Sequence, residues 1–282
     1  MKNYDSNVNK IIEDIITIIQ VLSRHNVNVP CSSRLYEYKR EMEKLLQCKS
    51  FEEVKNIDVF KIAQGIREVN DLRYISQSSI LNQYRPNELS NLIKGHYSPD
   101  LDKNKLSRNW QFQIYLTSIF KLAGLCPFVE EPDLSFIFND QKYNIAVKRI
   151  YSSKKVKDNL NGAVEQIEKH EQYGFIAVSI DHLVLENNDQ PYIVGNDPSK
   201  IIDVTNEICQ KTVKKHYFDF ASITSEKVVG FIISLTLPVF LQNKIEFGGG
   251  SCLHVFGNVN FDNDELRKIR QGMGDALEKD KS

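Results

Sequence analysis

An aspartate and a lysine flank a short segment of alternating apolar and polar residues, and this pair is the strongest chemical signal in the sequence. Asp133 precedes the segment, and Lys148 lies fifteen residues later, near its end. A carboxylate supplies the oxygen ligands that Mg2+ or Mn2+ prefers, and an ammonium group can hold a phosphate oxygen or help to deprotonate an attacking water. Close together, the two groups suit the hydrolysis of a phosphodiester.

The segment between these residues predicts two strands joined by a tight turn. Polar residues Asn139-Asp140-Gln141 separate two runs in which every second residue is apolar. The apolar positions are Leu134, Phe136, Phe138, Tyr143, Ile145 and Val147. In an antiparallel pair the start of the first strand lies beside the end of the second, so we expect Asp133 and Lys148 to converge.

A helix and a further strand are predicted after this hairpin. Asp158 or Asn161 can cap the helix, which carries Gln166, and the strand runs from Phe175 to Ile180. A right-handed crossover would place this strand parallel to the lysine strand and direct Gln166 toward the open end of the hairpin. The alternatives are ordinary ones: a turn aspartate, a solvated lysine and an exposed glutamine.

Taken together, Asp133, the hairpin and the sequence Ile145-Ala146-Val147-Lys148-Arg149 resemble the PD-(D/E)XK nuclease superfamily, which includes restriction endonucleases and many phage-defence nucleases. The resemblance covers roughly residues 104 to 182. It implies an α/β, restriction-endonuclease-like mixed sheet flanked by helices. It also implies a DNA endonuclease that requires Mg2+ or Mn2+, as an effector of bacterial anti-phage defence or restriction, with RNA as an alternative substrate.

The same resemblance assigns roles to individual residues. Asp133 and the backbone carbonyl of Val147 would bind the metal, and Lys148 would contact the phosphate or the water. Gln166 would support Lys148. Position 146 completes this catalytic set, because the family has its second acidic residue there.

Ala146 departs from the family pattern. With alanine there, the metal would have one carboxylate where the family offers two, so we expect cleavage to be weak or absent. Three explanations are open: an inactivating Glu-to-Ala substitution in this chain, an acid supplied instead by Glu165 or Glu168, and a natural pseudo-nuclease that only binds.

Basic residues are concentrated just after the hairpin, although the whole chain is nearly neutral, with 36 basic and 37 acidic residues. The stretch from Lys142 to Lys157 contains no acidic residue. We predict contacts to nucleic acid from Arg149, Lys154, Lys155 and Lys157. A solvated surface is the alternative for this run.

The first third of the chain predicts helices without catalytic residues. Residues 1–95 are interpreted as an all-helical region for docking or oligomerisation, and residues 96–282 as the nuclease-like domain. A homo-oligomer or a partner subunit would then assemble through the N-terminal helices, whereas the alternative is a helical cap packed on the core. On a helix predicted from about 105 to 123, Arg108 is expected to be a surface charge or a phosphate contact.

The last third predicts further sheet elements. The apolar run from Val228 to Leu241 is interpreted as a buried strand, and Gly248-Gly249-Gly250 as a hairpin turn before a second strand at 252–259. Residues 183–197 are predicted to be a loop, 198–215 a polar helix and 262–279 a second helix.

Cysteine placement and hydropathy suggest a compartment. The five cysteines are scattered and form no CxxC pair, so neither a disulfide framework nor a zinc site is indicated, and a reducing cytoplasm is expected. The start of the chain lacks the apolar core of a signal peptide, and the longest apolar run is too short to span a bilayer, so no membrane association is expected.

Two other classes of function fit the same sequence. A nucleic-acid-binding or regulatory subunit with a degenerate nuclease fold would bind without cleaving. A protein-interaction scaffold would depend on the helical region alone. Binding to nucleic acid in Ca2+ or EDTA distinguishes the scaffold from the other two.

Overall fold

One mixed sheet flanked by helices forms the centre of the protein. The structure is a computed structural model that describes residues 2–5, 8–54, 56–98, 101, 105–186, 192–241 and 246–258, together with Asp264, Arg267 and Lys268. The α-helices are α1 (Val8–Arg24), α2 (Arg34–Gln47), α3 (Phe51–Val54), α4 (Val59–Gln77), α5 (Pro86–Leu89), α6 (Leu106–Leu122), α7 (Val156–Glu168), α8 (Asp181–Leu185), α9 (Ile201–Lys215) and α10 (Tyr217–Ala221). The strands are β1 (Lys2–Asp5), β2 (Cys126–Phe128), β3 (Leu134–Phe138), β4 (Gln141–Arg149), β5 (Gly174–Ser179), β6 (Ile193–Gly195), β7 (Val228–Leu241) and β8 (Glu246–Gly257). An α/β fold with a mixed sheet and a helical N-terminal region is thereby confirmed.

The order of the strands places a parallel group in the middle of the sheet. The eight-stranded sheet has the order β1-β8-β7-β5-β4-β3-β2, and β6 pairs with β7 outside this path. Strands β4, β5 and β7 run parallel to one another, and β6 is parallel to β7. The remaining neighbours are antiparallel. The carboxyl ends of β4, β5 and β7 therefore meet at one edge, where ligands commonly bind in open α/β sheets.

The predicted hairpin is confirmed as β3 and β4. Leu134 lies opposite Ile145, and the two-residue turn consists of Asn139 and Asp140 with φ angles of 49° and 61°. Both central residues thus adopt the left-handed conformation that matches the twist of a hairpin and that Asn and Asp tolerate well. Strand β5 pairs in parallel with β4, as the crossover predicts, and Lys148 lies opposite Val178.

Helices cover both faces of the sheet. Helices α4 and α6 pack on one face, against β7, β8, β3 and β4, while α7 and α9 pack on the other. Ile15 of α1 and Ile66 of α4 belong to the same buried apolar cluster as Ile145 and Phe175 of the sheet. The N-terminal helices therefore share their core with the sheet, and β1, at the start of the helical region, pairs with β8.

Sequence periodicity locates the long helices well. Helix α1 buries an apolar stripe that includes Ile11, Ile15 and Ile18, and α6 occupies the range predicted from 105 to 123. Helix α4 begins where the side chain of Asp58 accepts a hydrogen bond from the amide of Lys61 at 3.1 Å.

Of the helices described here, none has both the length and the apolar character needed to cross a bilayer.

The prediction of a turn at the glycine triplet is wrong, because Gly248, Gly249 and Gly250 lie inside β8. A Cβ atom on Gly249 would lie 2.6 Å from a methyl carbon of Ile66 in α4. A Cβ atom on Gly250 would collide with Thr205 of α9, on the opposite face. These glycines therefore allow helices to approach the strand from both sides rather than reversing the chain.

Other boundaries in the last third also differ from the prediction. The buried strand at 228–241 is confirmed as β7. The range 183–197, predicted to be a loop, contains part of α8 and all of β6, both of them short elements that pack beside β7. The helix predicted at 262–279 lies almost entirely outside the described residues.

Candidate functional site

The hairpin fixes Asp133 through both its side chain and its main chain. Oδ2 of Asp133 accepts a hydrogen bond of 2.7 Å from the backbone amide of Val147. The side-chain amide of Gln113, on α6, donates to the backbone carbonyl of Asp133 at 2.6 Å. Because β3 begins only at Leu134, the aspartate side chain reaches β4 where β3 no longer pairs with it.

Burial determines the acidity of this carboxyl group. Partial burial raises the pKa of Asp133 to about 6, although the hydrogen bond from Val147 and the charge of Lys148 both act to lower it. The charge of Glu131 acts in the same direction as burial. Glu131 is therefore an acidic neighbour whose electrostatic field reaches Asp133.

Lys148 is held between the hairpin and α7. Its ammonium group donates a hydrogen bond to Oε1 of Gln166 on α7. Burial lowers the pKa of Lys148, and the carboxylate of Asp133 acts against that change. The structure thus brings Asp133, Val147, Lys148 and Gln166 together at one end of the hairpin.

Ala146 is on the same face of β4 as Lys148, because residues two apart in a strand share a face. Its exposed fraction is 0%, and it belongs to an apolar cluster with Ala163 and Ile167 of α7. Glu165 and Glu168, the alternative acids, have exposed side chains on the same helix. Position 146 therefore lies beside the lysine, within the apolar packing between sheet and helix.

The donors at this end of the hairpin suit a hydrated magnesium ion. The second carboxylate oxygen of Asp133, Oδ1, can act as a ligand. The N–H and C=O of one residue in a strand point to the same side, so the carbonyl of Val147 faces the side from which Asp133 approaches. Mg2+ commonly keeps several waters and needs only one or two protein carboxylates. Asp133 supplies one carboxylate, the smaller of these two numbers.

The basic residues predicted to contact nucleic acid fall into two groups. Lys154, Lys155 and Lys157 are exposed around the start of α7, and Lys155 forms an ion pair with Asp158 at 2.9 Å. Arg149 is only 8% exposed. That position does not suit the phosphate contact predicted from the sequence, because the guanidinium group lies inside the protein.

A buried ionic network lies on the opposite face of β4 from Lys148. It consists of Arg34 (α2), Glu68 and Asp71 (α4), Arg108 and Gln111 (α6), and Arg149 (β4). Glu68 is at its centre, 2.6 Å from Nε of Arg34 and 3.0 Å from Nη1 of Arg108. Burial opposes ionisation, yet Arg108 and Arg34 hold the pKa of Glu68 below its ordinary value. Arg108 is 1% exposed, so the predicted surface position for it is wrong.

Asp71 joins this network to the sheet. It accepts hydrogen bonds from Arg149 at 2.9 Å and from Gln111 at 3.2 Å. Burial raises the pKa of Asp71 to about 7, against the opposing influence of Arg149. The end of β4 is therefore attached to α4 and α6 by groups that are removed from water.

The end of β5 adds a further buried acid. Asp181 accepts hydrogen bonds from the hydroxyl of Ser179 at 2.9 Å and from the amide of Thr236 at 2.7 Å. Burial lowers the pKa of the adjacent His182 far below its ordinary value, and the positive charges of Arg67 and Arg149 add to this effect. Burial and these charges therefore disfavour the protonated form of His182.

Sequence reasoning missed the buried ionic network, although α4 contains a signal for it. Polar residues recur in this helix at helical spacing, and they are Gln64, Arg67, Glu68 and Asp71. All four are buried. A stripe of this kind, flanked by apolar residues at helical spacing, indicates a polar surface that packs against other polar groups inside the protein.

No protein-family model, curated protein sequence or solved structure gives a significant match to this chain.

Proposed function

We propose that this chain is a metal-dependent nuclease of the PD-(D/E)XK type that hydrolyses phosphodiester bonds in DNA, with RNA as the alternative substrate. The hydrogen bond from the amide of Val147 to Asp133 carries this proposal, because it places the carboxylate beside the residue that precedes Lys148, and Lys148 in turn contacts Gln166. The order of α6, the β3–β4 hairpin, α7 and the parallel strand β5 also supports the proposal.

Each residue has a distinct part in the proposed reaction. Asp133 and the carbonyl of Val147 would hold Mg2+, which supplies Lewis-acid stabilisation of the phosphate and a more acidic bound water. Lys148 would place a positive charge beside the phosphate oxygens as negative charge increases there. Gln166 would act as a positioning residue, because its amide oxygen holds the ammonium group.

The start of α7 supports binding of a nucleic-acid backbone. Lys154 and Lys157 are exposed there, a few residues after the end of β4. Helix N-termini favour anions because their first amides lack partners within the helix. Gln166, which contacts Lys148, lies ten residues after Val156, about 15 Å along the helix axis, so a strand that meets both would run along α7.

A second candidate is a nucleic-acid-binding or regulatory subunit that does not cleave. The observation that favours it is the complete burial of Ala146 among apolar side chains of α7. Lys148 would then hold a backbone phosphate, while the site would lack the second acid that the family uses to bind the metal. An effector role in bacterial defence is a proposal that rests on the resemblance alone. A cytoplasmic location is proposed from the scattered cysteines, and assembly through the N-terminal helices from the helical character of that region.

Introducing the missing acid separates the two candidates. Cleavage of linear and circular DNA, and of RNA, would be measured in Mg2+ and Mn2+ for the unmodified chain, for Ala146→Glu and for Ala146→Glu combined with Asp133→Ala. Ala163→Glu is the matched control, since it adds a carboxylate to the same apolar cluster from α7. Circular dichroism would establish that each variant is folded.

The proposal predicts that Ala146→Glu gains activity, that Ala163→Glu does not, and that Asp133→Ala removes the gain. Folded Ala146→Glu protein without activity would favour the second candidate, provided that the unmodified chain retards DNA in Ca2+ or EDTA. Absence of both cleavage and retardation would overturn both candidates and leave the interaction scaffold.

A further inference from the structure

Two cysteines and a histidine meet where α9 packs on β8. One ligand atom from each of Cys209, Cys252 and His254 lies within 4.8 Å of the other two. Cys252 and His254 are two residues apart in β8 and share a face of the sheet, and Cys209 approaches that face from α9. The cysteines are buried and His254 is half-buried. No CxxC motif indicates this cluster in the sequence, because Cys209 is distant from Cys252 along the chain.

The spacing is close to that of a bound metal ion. Two sulfur ligands on a tetrahedral zinc ion lie about 3.8 Å apart, given a zinc–sulfur bond of about 2.3 Å. The observed limit of 4.8 Å exceeds this value by about 1 Å, which small rotations of the three side chains can remove. No movement of α9 or β8 relative to each other is required by these distances.

The donor chemistry selects the kind of ion. Thiolate and imidazole ligands suit zinc and other borderline or soft ions, whereas Mg2+ prefers oxygen. Two thiolates would neutralise the charge of one Zn2+ ion, so the complex could remain buried without an unpaired charge. A ring nitrogen of His254 also lies 3.1 Å from Oδ1 of Asn206 on α9. A contact of this kind commonly orients a metal-binding histidine.

The cluster is separate from the proposed nuclease site. In the sheet, β8 is the third strand from β4, which corresponds to about 14 Å at the usual strand spacing of about 4.8 Å. Metal binding at this cluster would release protons from the thiols as thiolate ligands form.

We propose that Cys209, Cys252 and His254 bind one Zn2+ ion, with water at the fourth position, and that this ion holds α9 to β8.

The test uses the full chain, prepared metal-free under reducing conditions. Zn2+ binding would be measured by competition with a chromophoric chelator, and Co2+ binding by the thiolate-to-cobalt charge-transfer absorption. We expect one thiolate-coordinated ion per chain, a charge-transfer band and a higher melting temperature with Zn2+. Cys209→Ser and Cys252→Ser should remove the band, and Asn206→Ala should weaken binding by about 10- to 100-fold.

Two further variants keep the test informative. The other cysteines, Cys31, Cys48 and Cys126, lie elsewhere, so a variant with serine at all three should bind Co2+ like the unmodified chain. His254→Gln changes a half-buried residue and should fold even if the buried cysteine variants do not; we expect it to bind at least about tenfold more weakly.

Several results would overturn the proposal: no charge-transfer band in the unmodified chain, a band that persists in Cys252→Ser, or unchanged affinity in His254→Gln. The proposal would also be overturned if the protein bound no metal under reducing conditions and formed a Cys209–Cys252 disulfide in air. That result would show that the two cysteines form a redox-active pair instead of a metal site.

Discussion

The carboxylate of Asp133 accepts a hydrogen bond of 2.7 Å from the backbone amide of Val147, one residue before Lys148. A backbone donor of this kind orients the carboxylate without neutralising it. The same contact connects the aspartate to the strand that carries the lysine, so the relative position of the two charged groups depends on the β3–β4 hairpin.

Asp133→Asn should remove metal binding while leaving the fold intact. Asparagine has nearly the same shape, and its side-chain oxygen can still accept the hydrogen bond from Val147, but it carries no charge for a cation. We expect Mn2+ affinity, measured by titration calorimetry, to fall by at least about tenfold. Asp140→Asn, in the hairpin turn, is the matched control and should bind Mn2+ normally. Equal Mn2+ affinity in the unmodified chain, Asp133→Asn and Asp140→Asn would show that Asp133 is not a metal ligand.

Stability should depend on pH through the same carboxyl group. Its pKa is raised by folding, from an ordinary value of 3.8 to about 6, so the protonated form favours the folded state. The stability that this proton contributes is present below about pH 4 and is lost as the pH rises to about 6. Because the group is partly exposed, we expect a change on the order of 1 kcal/mol.

Urea denaturation of the unmodified chain and of Asp133→Asn between pH 4 and pH 7 measures this contribution. The variant should gain stability relative to the unmodified chain as the pH rises through that interval, since asparagine does not ionise. Parallel stability curves for the two proteins would show that Asp133 has no raised pKa.

Lys148→Met should abolish catalysis without destabilising the protein. Methionine fills similar space along α7, and it removes an ammonium group whose pKa is lowered by burial. In the Ala146→Glu background, we expect the rate of DNA cleavage to fall by about 100-fold or more when Lys148 is replaced. The midpoint of urea unfolding should stay the same or rise. Lys121→Met, at an exposed position near the end of α6, is the control. Undiminished cleavage by Lys148→Met would exclude the lysine from the reaction.

The exposed lysines at the start of α7 should determine the salt dependence of DNA binding. Each phosphate contact contributes about 0.9 to the slope of log K against log salt concentration. Lys154→Ala combined with Lys157→Ala should therefore lower the slope by about 2, as measured by fluorescence anisotropy. Replacing Lys121 and Lys211 removes the same charge elsewhere and should leave the slope unchanged. A similar decrease of the slope in both double variants would indicate a general effect of net charge.

Glu68→Gln should be strongly destabilising. Glu68 forms ion pairs with Arg34 and Arg108, and the side chains of both arginines are almost completely buried. Removing one member of such a group leaves unpaired charge inside the protein, which costs about 3–5 kcal/mol. The free energy of unfolding in urea measures the loss. Glu165→Gln, at an exposed position on α7, should change it by less than about 0.5 kcal/mol. A similarly small change in Glu68→Gln would contradict the paired arrangement.

Local patterns account for the part of the fold that was predicted correctly. The alternation around Phe136 and Ile145 specifies a face of each strand, and Asn139-Asp140 specifies the turn, so hairpin and register follow from adjacent residues. The positions of Asp133 and Lys148 depend only on that register. Gln166 was harder to place, because its contact with Lys148 depends on how α7 lies across the sheet.

Long-range pairing explains what the sequence did not reveal. Arg149 and Asp71 are 78 residues apart, and Arg34 and Gln111 are 77 apart, so no local spacing associates them. Arginine and acidic residues are usually exposed, which favours a surface interpretation for Arg108 and Arg149. The glycine triplet is ambiguous for another reason: a tight turn and a close helix–strand contact both require residues without a Cβ atom.

Gly249 and Gly250 are adjacent in β8 but face different helices, Ile66 of α4 on one side and Thr205 of α9 on the other. A single methyl group at the first position would push away the helix that carries Glu68, and at the second position the helix that carries Cys209. Alanine at Gly249 would consequently loosen the packing of α4 on the sheet, and alanine at Gly250 the packing of α9. Comparing the two variants would show which of these helices DNA cleavage and Zn2+ binding each require.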